Sequence, residues 1–196
     1  MGRSIENWEE QTFPLVGAAK ELKAADAAFR DMVAIGIQSF HEYDRAWRDF
    51  LHSIERAWNK TIAEARGRKN WQRIKSEYDH LRSTDPLLRY LIQARHASEH
   101  TIDPLIREWD ANLKVTPIGD RVRIEWDDWD RPLLPITNRG TLFNPPKKHL
   151  GKPMSHYRRK GVSEPRTAAE LAMQFYVPML NRVYLLRCSR EVVPNK

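Results

Sequence analysis

Four times between Leu15 and Ile102 the chain repeats one arrangement: apolar residues at helical spacing, closed by a capping or breaking signal. Such stripes are stable only when buried against one another, so the pattern predicts helix packed on helix. Over residues 15–36, Leu15, Leu22 and Phe29 recur at spacing seven, with Ala18, Ala25 and Met32 between them. That is one face of a helix. Ser39 followed by Glu42 is a capping box that opens a second helix. Its stripe is Phe40, Tyr43, Trp47, Phe50, Ile54, Trp58 and Ile62, and Gly67 offers a stop. Trp71, Ile74, Tyr78 and Leu81 mark a third, shorter helix. Asp85-Pro86 then supplies a side-chain cap and a proline at the first position of a fourth helix, which Pro104 ends or bends.

After Lys114 the pattern changes. Val115–Ile118 and Arg121–Trp126 alternate as strands do, and Gly119-Asp120 between them suits a type II′ hairpin turn. The proline-rich residues 132–165 read as irregular connections with one further short strand near Leu133–Ile136. Thr167 and Glu170 form another capping box. A last helix follows with Ala168, Ala172, Phe175, Met179, Val183 and Leu186 as its stripe, and Pro178 predicts a kink in it. The expected architecture is mainly α. An up-and-down helical bundle occupies 1–112, a β-hairpin and basic loop form a small appendage over 113–166, and a C-terminal helix over 167–196 packs back on the bundle. No repeat of 20–50 residues is present, which excludes a solenoid.

Composition narrows the function. No apolar run approaches the roughly 18 residues of a membrane span. The segment MGRSIENWEE lacks the apolar core of a secretory signal, and Glu6 stands where myristoylation needs Ser or Thr. Cys188 is the only cysteine, which excludes an intramolecular disulfide or a cysteine-built zinc cluster and suits a reducing, cytoplasmic home. The net charge of +7 is unevenly spread: residues 1–112 hold 17 Lys/Arg against 18 Asp/Glu, residues 113–196 hold 16 against 8. At the centre of the excess is PPKKHLGKPMSHYRRK, Pro145 to Lys160, with no acid. Such a run stays apart unless solvated or paired with anions. Lys147, Lys148, Arg158, Arg159 and Lys160 are therefore the expected contacts to an RNA backbone. His149 and His156 in the same run read as solvent-exposed or phosphate-contacting, since their spacing fits no standard metal site.

The segment with chemistry in it is Arg95-His96-Ala97-Ser98-Glu99-His100, late in the fourth helix. An arginine, a polar residue directly after it, and a histidine after four intervening residues resemble the signature of HEPN domains. This chain departs from the commoner form by carrying His at the second position, where Asn or Asp is usual. Arg45, Arg73 and Arg89 also have a histidine seven positions on, but Ala, Ile or Tyr follows them. The resemblance covers the motif and, more loosely, the helices of 15–110. It implies a helical bundle that dimerises, and a metal-independent endoribonuclease such as a toxin or defence nuclease, with an antitoxin or other protein as partner and no cofactor. Arg95 would stabilise phosphate charge, His100 would be the acid/base, and His96 would orient or assist. Those residue types suit the reaction. Attack by a ribose 2′-hydroxyl needs proton transfer near neutrality and a fixed positive charge on the phosphate. Arg95 and His100 differ by about 140° around a helix, so a complete site is expected at a helix end or from two chains. Glu99, one turn after Arg95, is placed to hold its guanidinium.

Two other readings compete. The same helix serves equally as a non-catalytic HEPN-like module for dimerisation or for protein or nucleotide binding. His96-Ala-Ser-Glu99-His100 also resembles the H-x-x-E-H pattern of zinc hydrolases, in which both histidines ligate zinc and the glutamate is the base. That reading needs a third ligand far downstream, Glu164 or Glu170.

Overall fold

The computed structural model describes residues 15–35, 39–100, 105–106, 113–118, 121–126, 133–138, 141–153 and 164–188. The protein is mainly helical: α1 (Val16–Ile35), α2 (Phe40–Ala65), α3 (Trp71–Thr84), α4 (Pro86–His100) and α5 (Pro165–Cys188). Among the described residues, six short strands lie between α4 and α5: β1 (Leu113–Ile118), β2 (Arg121–Trp126), β3 (Ile136–Asn138), β4 (Thr141–Phe143), β5 (Lys148–His149) and β6 (Lys152–Pro153).

The first two helices form an antiparallel pair. Leu15, Ala18, Leu22, Ala25 and Met32 of the first stripe are buried, and Phe29 is partly so. Small residues on this face let α2 approach closely. The tie between the two helices is polar. At the far end of α2, the Glu64 carboxylate accepts from the amides of Gly17 (2.9 Å) and Ala18 (3.3 Å). An anion there satisfies donors that the first turn of α1 leaves open and meets the positive end of its dipole. A Cβ at position 17 would stand 2.3 Å from Glu64 Oε1, so glycine is what admits the carboxylate. Ser39 caps α2 by accepting from the Glu42 amide, and the helix closes before Gly67, whose φ is +81°.

The last helix does more than pack back. Ala168, Ala172, Phe175, Met179 and Val183 of its expected stripe are buried, but so are Ala169, Leu171, Met173, Tyr176 and Leu180. α5 contacts all four other helices. The buried face is thus wider than the expected stripe, while Glu170, Gln174, Pro178, Asn181 and Leu185 form one exposed stripe. Its start is also corrected. The helix begins at Pro165, so Thr167 and Glu170 lie inside its first turns rather than forming a capping box. Proline at the first helical position, with φ already fixed, decides the boundary. The helix continues through Pro178.

Arg82 of α3 binds α2 to α5 through the core. Only 6% of it is exposed. Its guanidinium pairs with Glu55 and lies 4.6 Å from the ring centroid of Trp58 and 6.0 Å from that of Tyr176. The charge is offset by one carboxylate and two aromatic faces. Burial pushes the Tyr176 hydroxyl up to about 12.

The strands pair as three antiparallel hairpins, β1–β2, β3–β4 and β5–β6. In the first, Leu113 faces Trp126 and Ile118 faces Arg121, so its first strand starts two residues before the expected Val115; its Gly119-Asp120 turn lies outside the described residues. The other two replace the irregular connections and single strand expected over 132–165. β3 starts at Ile136, while Leu133 instead bridges to Ile106. Two- and three-residue strands are too short to announce themselves by alternation. β3 and β5 both pack on α4. Tyr90 of α4 donates from its buried hydroxyl to the Leu134 carbonyl at 2.6 Å.

Candidate active site

Asp85, between α3 and α4, is 6% exposed and serves two ends of the fold at once. Its Oδ1 accepts from the amides of Leu87 and Leu88, each at 3.0 Å, which is the side-chain cap read from the sequence. The same carboxylate accepts from His149 Nδ1 at 3.0 Å and from the Leu150 amide. Leu150 and Gly151 carry φ values of +45° and +79°, both positive, as a tight two-residue hairpin turn requires. Burial alone would push the Asp85 carboxyl up, but the hydrogen bonds from His149 and the Leu88 and Leu150 amides outweigh it. They hold the group below the usual carboxylate range.

This corrects the reading of His149 as an exposed or phosphate-contacting residue. It is 2% exposed and its side chain is committed to Asp85. The basic run is therefore a docked hairpin in its first half, with the imidazole turned inward and Lys147, Lys148 and Lys152 outward in solvent. Arg158, Arg159, Lys160 and His156 lie outside the described residues. The anchor at Asp85 is ten residues before Arg95. At 1.5 Å per residue, the hairpin is fixed to α4 about 15 Å along the helix axis from the Arg95 motif.

The motif sits in the last turns of α4, in a helix kept in place by Leu87, Leu88, Tyr90, Leu91 and Ala94, all buried. Arg95 is half-buried. Its Nη2 pairs with Glu99 Oε1 at 2.8 Å, the one-turn partnership the spacing predicted. Its Nη1 lies 3.5 Å from His96 Nδ1, at the limit of a hydrogen bond. Its Nε is buried with no acceptor among the described residues. His96 and His100 are exposed, and His100 is the last residue of the helix. The contacts of Arg95 run to Glu99 and His96 rather than to His100, as their 140° separation requires.

A second helix completes the neighbourhood, and sequence reasoning missed it. Ser98 Oγ donates to the Arg95 carbonyl at 2.7 Å and lies 3.0 Å from His52 Nε2 of α2. Arg48, also on α2, donates to the Ser98 carbonyl at 3.3 Å and pairs with Asp44 at 2.7 Å. Burial draws the His52 imidazole below its ordinary range; Arg95 and Arg56 add to this, and Glu99 and Asp49 oppose it. The one trace of His52 in the sequence is the histidine seven positions after Arg45. Nothing local in 45–52 announces that α4 packs against it.

The chemistry of these groups is proton transfer and anion binding. For the zinc alternative, no group of three or more His, Cys, Asp or Glu among the described residues is placed to hold a metal ion. Glu99, its intended base, is engaged with Arg95. Glu164 is 3% exposed, beside the start of α5, and Glu170 is exposed on that helix. No helix among the described residues is long and apolar enough to cross a membrane. No family model matches the chain, nor does any curated protein or solved structure.

Proposed function

We propose that this protein is a HEPN-like, metal-independent endoribonuclease, with Arg95, His96 and His100 at the end of α4 as its reacting residues. The observation that carries the reading is the state of Arg95. A guanidinium 23% exposed is held in the last turns of α4 against His96, with the exposed His100 at the end of the helix. An arriving phosphate oxygen would meet the exposed part of the guanidinium, whose Nε is closed to solvent. Arg95 stabilises charge on the phosphorane. His100 exchanges the protons of the 2′-hydroxyl and the leaving 5′-oxygen, and His96 orients Arg95. Two chains meet through α4, so that His100 of one copy serves the Arg95 of the other. Lys147 and Lys148, with Arg158, Arg159 and Lys160, hold the RNA backbone.

The test is cleavage of RNA in EDTA. Products should carry 2′,3′-cyclic phosphate or 3′-phosphate ends, and Arg95→Ala and His100→Ala should each reduce the rate by orders of magnitude. His96→Ala should cost less. Activity that requires added metal, or that survives His100→Ala, overturns the reading. A second reading is favoured by the Arg95–Glu99 pair, which leaves the arginine neutralised within its own chain. In that reading α4 is a silent surface for dimerisation or for a protein partner such as an antitoxin. Wild-type protein that dimerises but leaves RNA intact would establish it.

A further inference from the structure

The hydrogen bonds around Ser98 settle which atom of His52 carries its proton. A serine hydroxyl has one hydrogen. The Arg95 carbonyl can only accept, and at 2.7 Å from Ser98 Oγ it takes that hydrogen. The contact between Ser98 Oγ and His52 Nε2, 3.0 Å, must then run the other way, with Nε2–H as the donor. This excludes Ser98 as a nucleophile activated by His52, because its proton points away from the imidazole. It also fixes the neutral tautomer of His52. Nε2 is protonated and Nδ1 carries the lone pair, which makes no hydrogen bond among the described residues.

The placement matters as much as the tautomer. His52 reaches Ser98 from α2, across the helix pair, and Ser98 is bonded in turn to the backbone of Arg95. A base and a phosphate-binding cation thus belong to one chain and one helix–helix contact, which Arg95 and His100 do not manage. We propose that His52 is the general base of the site: its Nδ1 takes the proton of the ribose 2′-hydroxyl, with Ser98 as the positioning residue that holds the ring. This rests on the ribonuclease reading above and narrows the role of His100 to the acid. As the O2′–P bond forms, the 2′-proton passes to His52. The P–O5′ bond then breaks, and His100 delivers a proton to the leaving 5′-oxygen. The products are a 2′,3′-cyclic phosphate and a free 5′-hydroxyl, and no co-reactant is consumed.

The charged groups facing His52 are Arg95 and Glu99 from α4 and Asp49 and Arg56 from its own helix, with Arg48 bonded to the same Ser98. Burial and the arginines keep the ring neutral at the pH where a base must be unprotonated. The acid limb of the pH–rate profile should therefore have its midpoint below about 6.5.

The experiment compares cleavage of a short RNA in EDTA by wild type, His52→Gln, His52→Ala and Ser98→Ala, across pH 5–9. Glutamine keeps a donor for Ser98 but cannot take a proton. His52→Gln should lose about 10²–10⁴ in kcat with little change in KM, and the acid limb should vanish. Added imidazole should restore part of the rate to His52→Ala, which a purely structural role would not allow. Ser98→Ala should fall roughly tenfold, because the ring is no longer held. Circular dichroism and binding of the same oligonucleotide with 2′-deoxyribose throughout report whether each variant is folded. Should His52→Gln not fold, the imidazole rescue and Ser98→Ala decide. Wild-type rate and an unchanged acid limb in His52→Gln, or in Ser98→Ala with no rescue of His52→Ala, overturn the role of His52 alone. Wild-type protein that does not cleave in EDTA overturns the ribonuclease reading instead.

Discussion

Replacing Asp85 by alanine takes the acceptor from four groups at once: the amides of Leu87, Leu88 and Leu150 and the ring of His149. The two amides of α4 lose their cap, worth about 1 kcal/mol. His149, almost fully buried, is left with an unmet ring nitrogen, and the Leu150 amide has nothing to donate to; each costs about 1–3 kcal/mol. The expected loss is about 3–7 kcal/mol. For a chain of this length that lowers Tm by about 10–20 °C. The coupling is specific, so a double-mutant cycle with His149→Ala reads it directly. Once His149 is gone, Asp85→Ala should cost about 1.5–3 kcal/mol less than in wild type. The pH dependence follows from the low folded-state value of the carboxyl. As pH falls, the unfolded chain takes up this proton before the folded one. The contribution is whole above about pH 3.9, the unfolded value, and is lost as pH drops through the lower folded value. Asp85→Ala should therefore flatten the acid limb of stability. Urea melts of the four proteins, at pH 7 and pH 3, are the assay. A coupling within about 0.5 kcal/mol of zero refutes the reasoning, because the hairpin would then be docked by something other than this pair.

Gly17→Ala should change sign with its background. In wild type the new methyl displaces Glu64 and removes the α1 cap, a net loss because the cap outweighs the helical preference of alanine. In Glu64→Ala the same change should stabilise by about 0.5–1 kcal/mol, measured by denaturant melts. Arg82→Ala should cost about 3–5 kcal/mol, since Glu55 then keeps a charge that is mostly buried, and Arg82→Lys should recover little because it cannot lie flat on Trp58; thermal melts check both. Neutralising Lys147, Lys148, Arg158, Arg159 and Lys160 together should weaken RNA binding for every sequence. It should also flatten log affinity against log salt by about one unit for each phosphate left without its cation, with cleavage at saturating RNA changed much less. Affinity unchanged at every salt concentration would mean that these residues are merely solvated.

The helices were legible because each carries its own evidence. A stripe of Trp47, Phe50, Ile54 and Trp58 has one way to be buried, and Asp85-Pro86 has one place in a helix. The Arg95–Glu99 pair was legible for the same reason, being one turn long. Local spacing could not rank Thr167 against Pro165 as the start of α5, since both positions carry a valid signal; nor could it find strands two or three residues long.

Periodicity and caps, both short-range, thus gave from sequence alone the four helical stretches within residues 15–100, the starts of α2 and α4, and a hairpin over 115–126. Partnerships between distant residues were settled only by tertiary packing. Glu64 lies 47 residues from Gly17, His149 lies 64 from Asp85, and His52 lies 46 from Ser98. A side chain's period reports which way it faces on its own element. It carries no record of which element will stand opposite, because that choice is made by the whole core at once, when α5 enters the bundle and α2 and α4 close on each other.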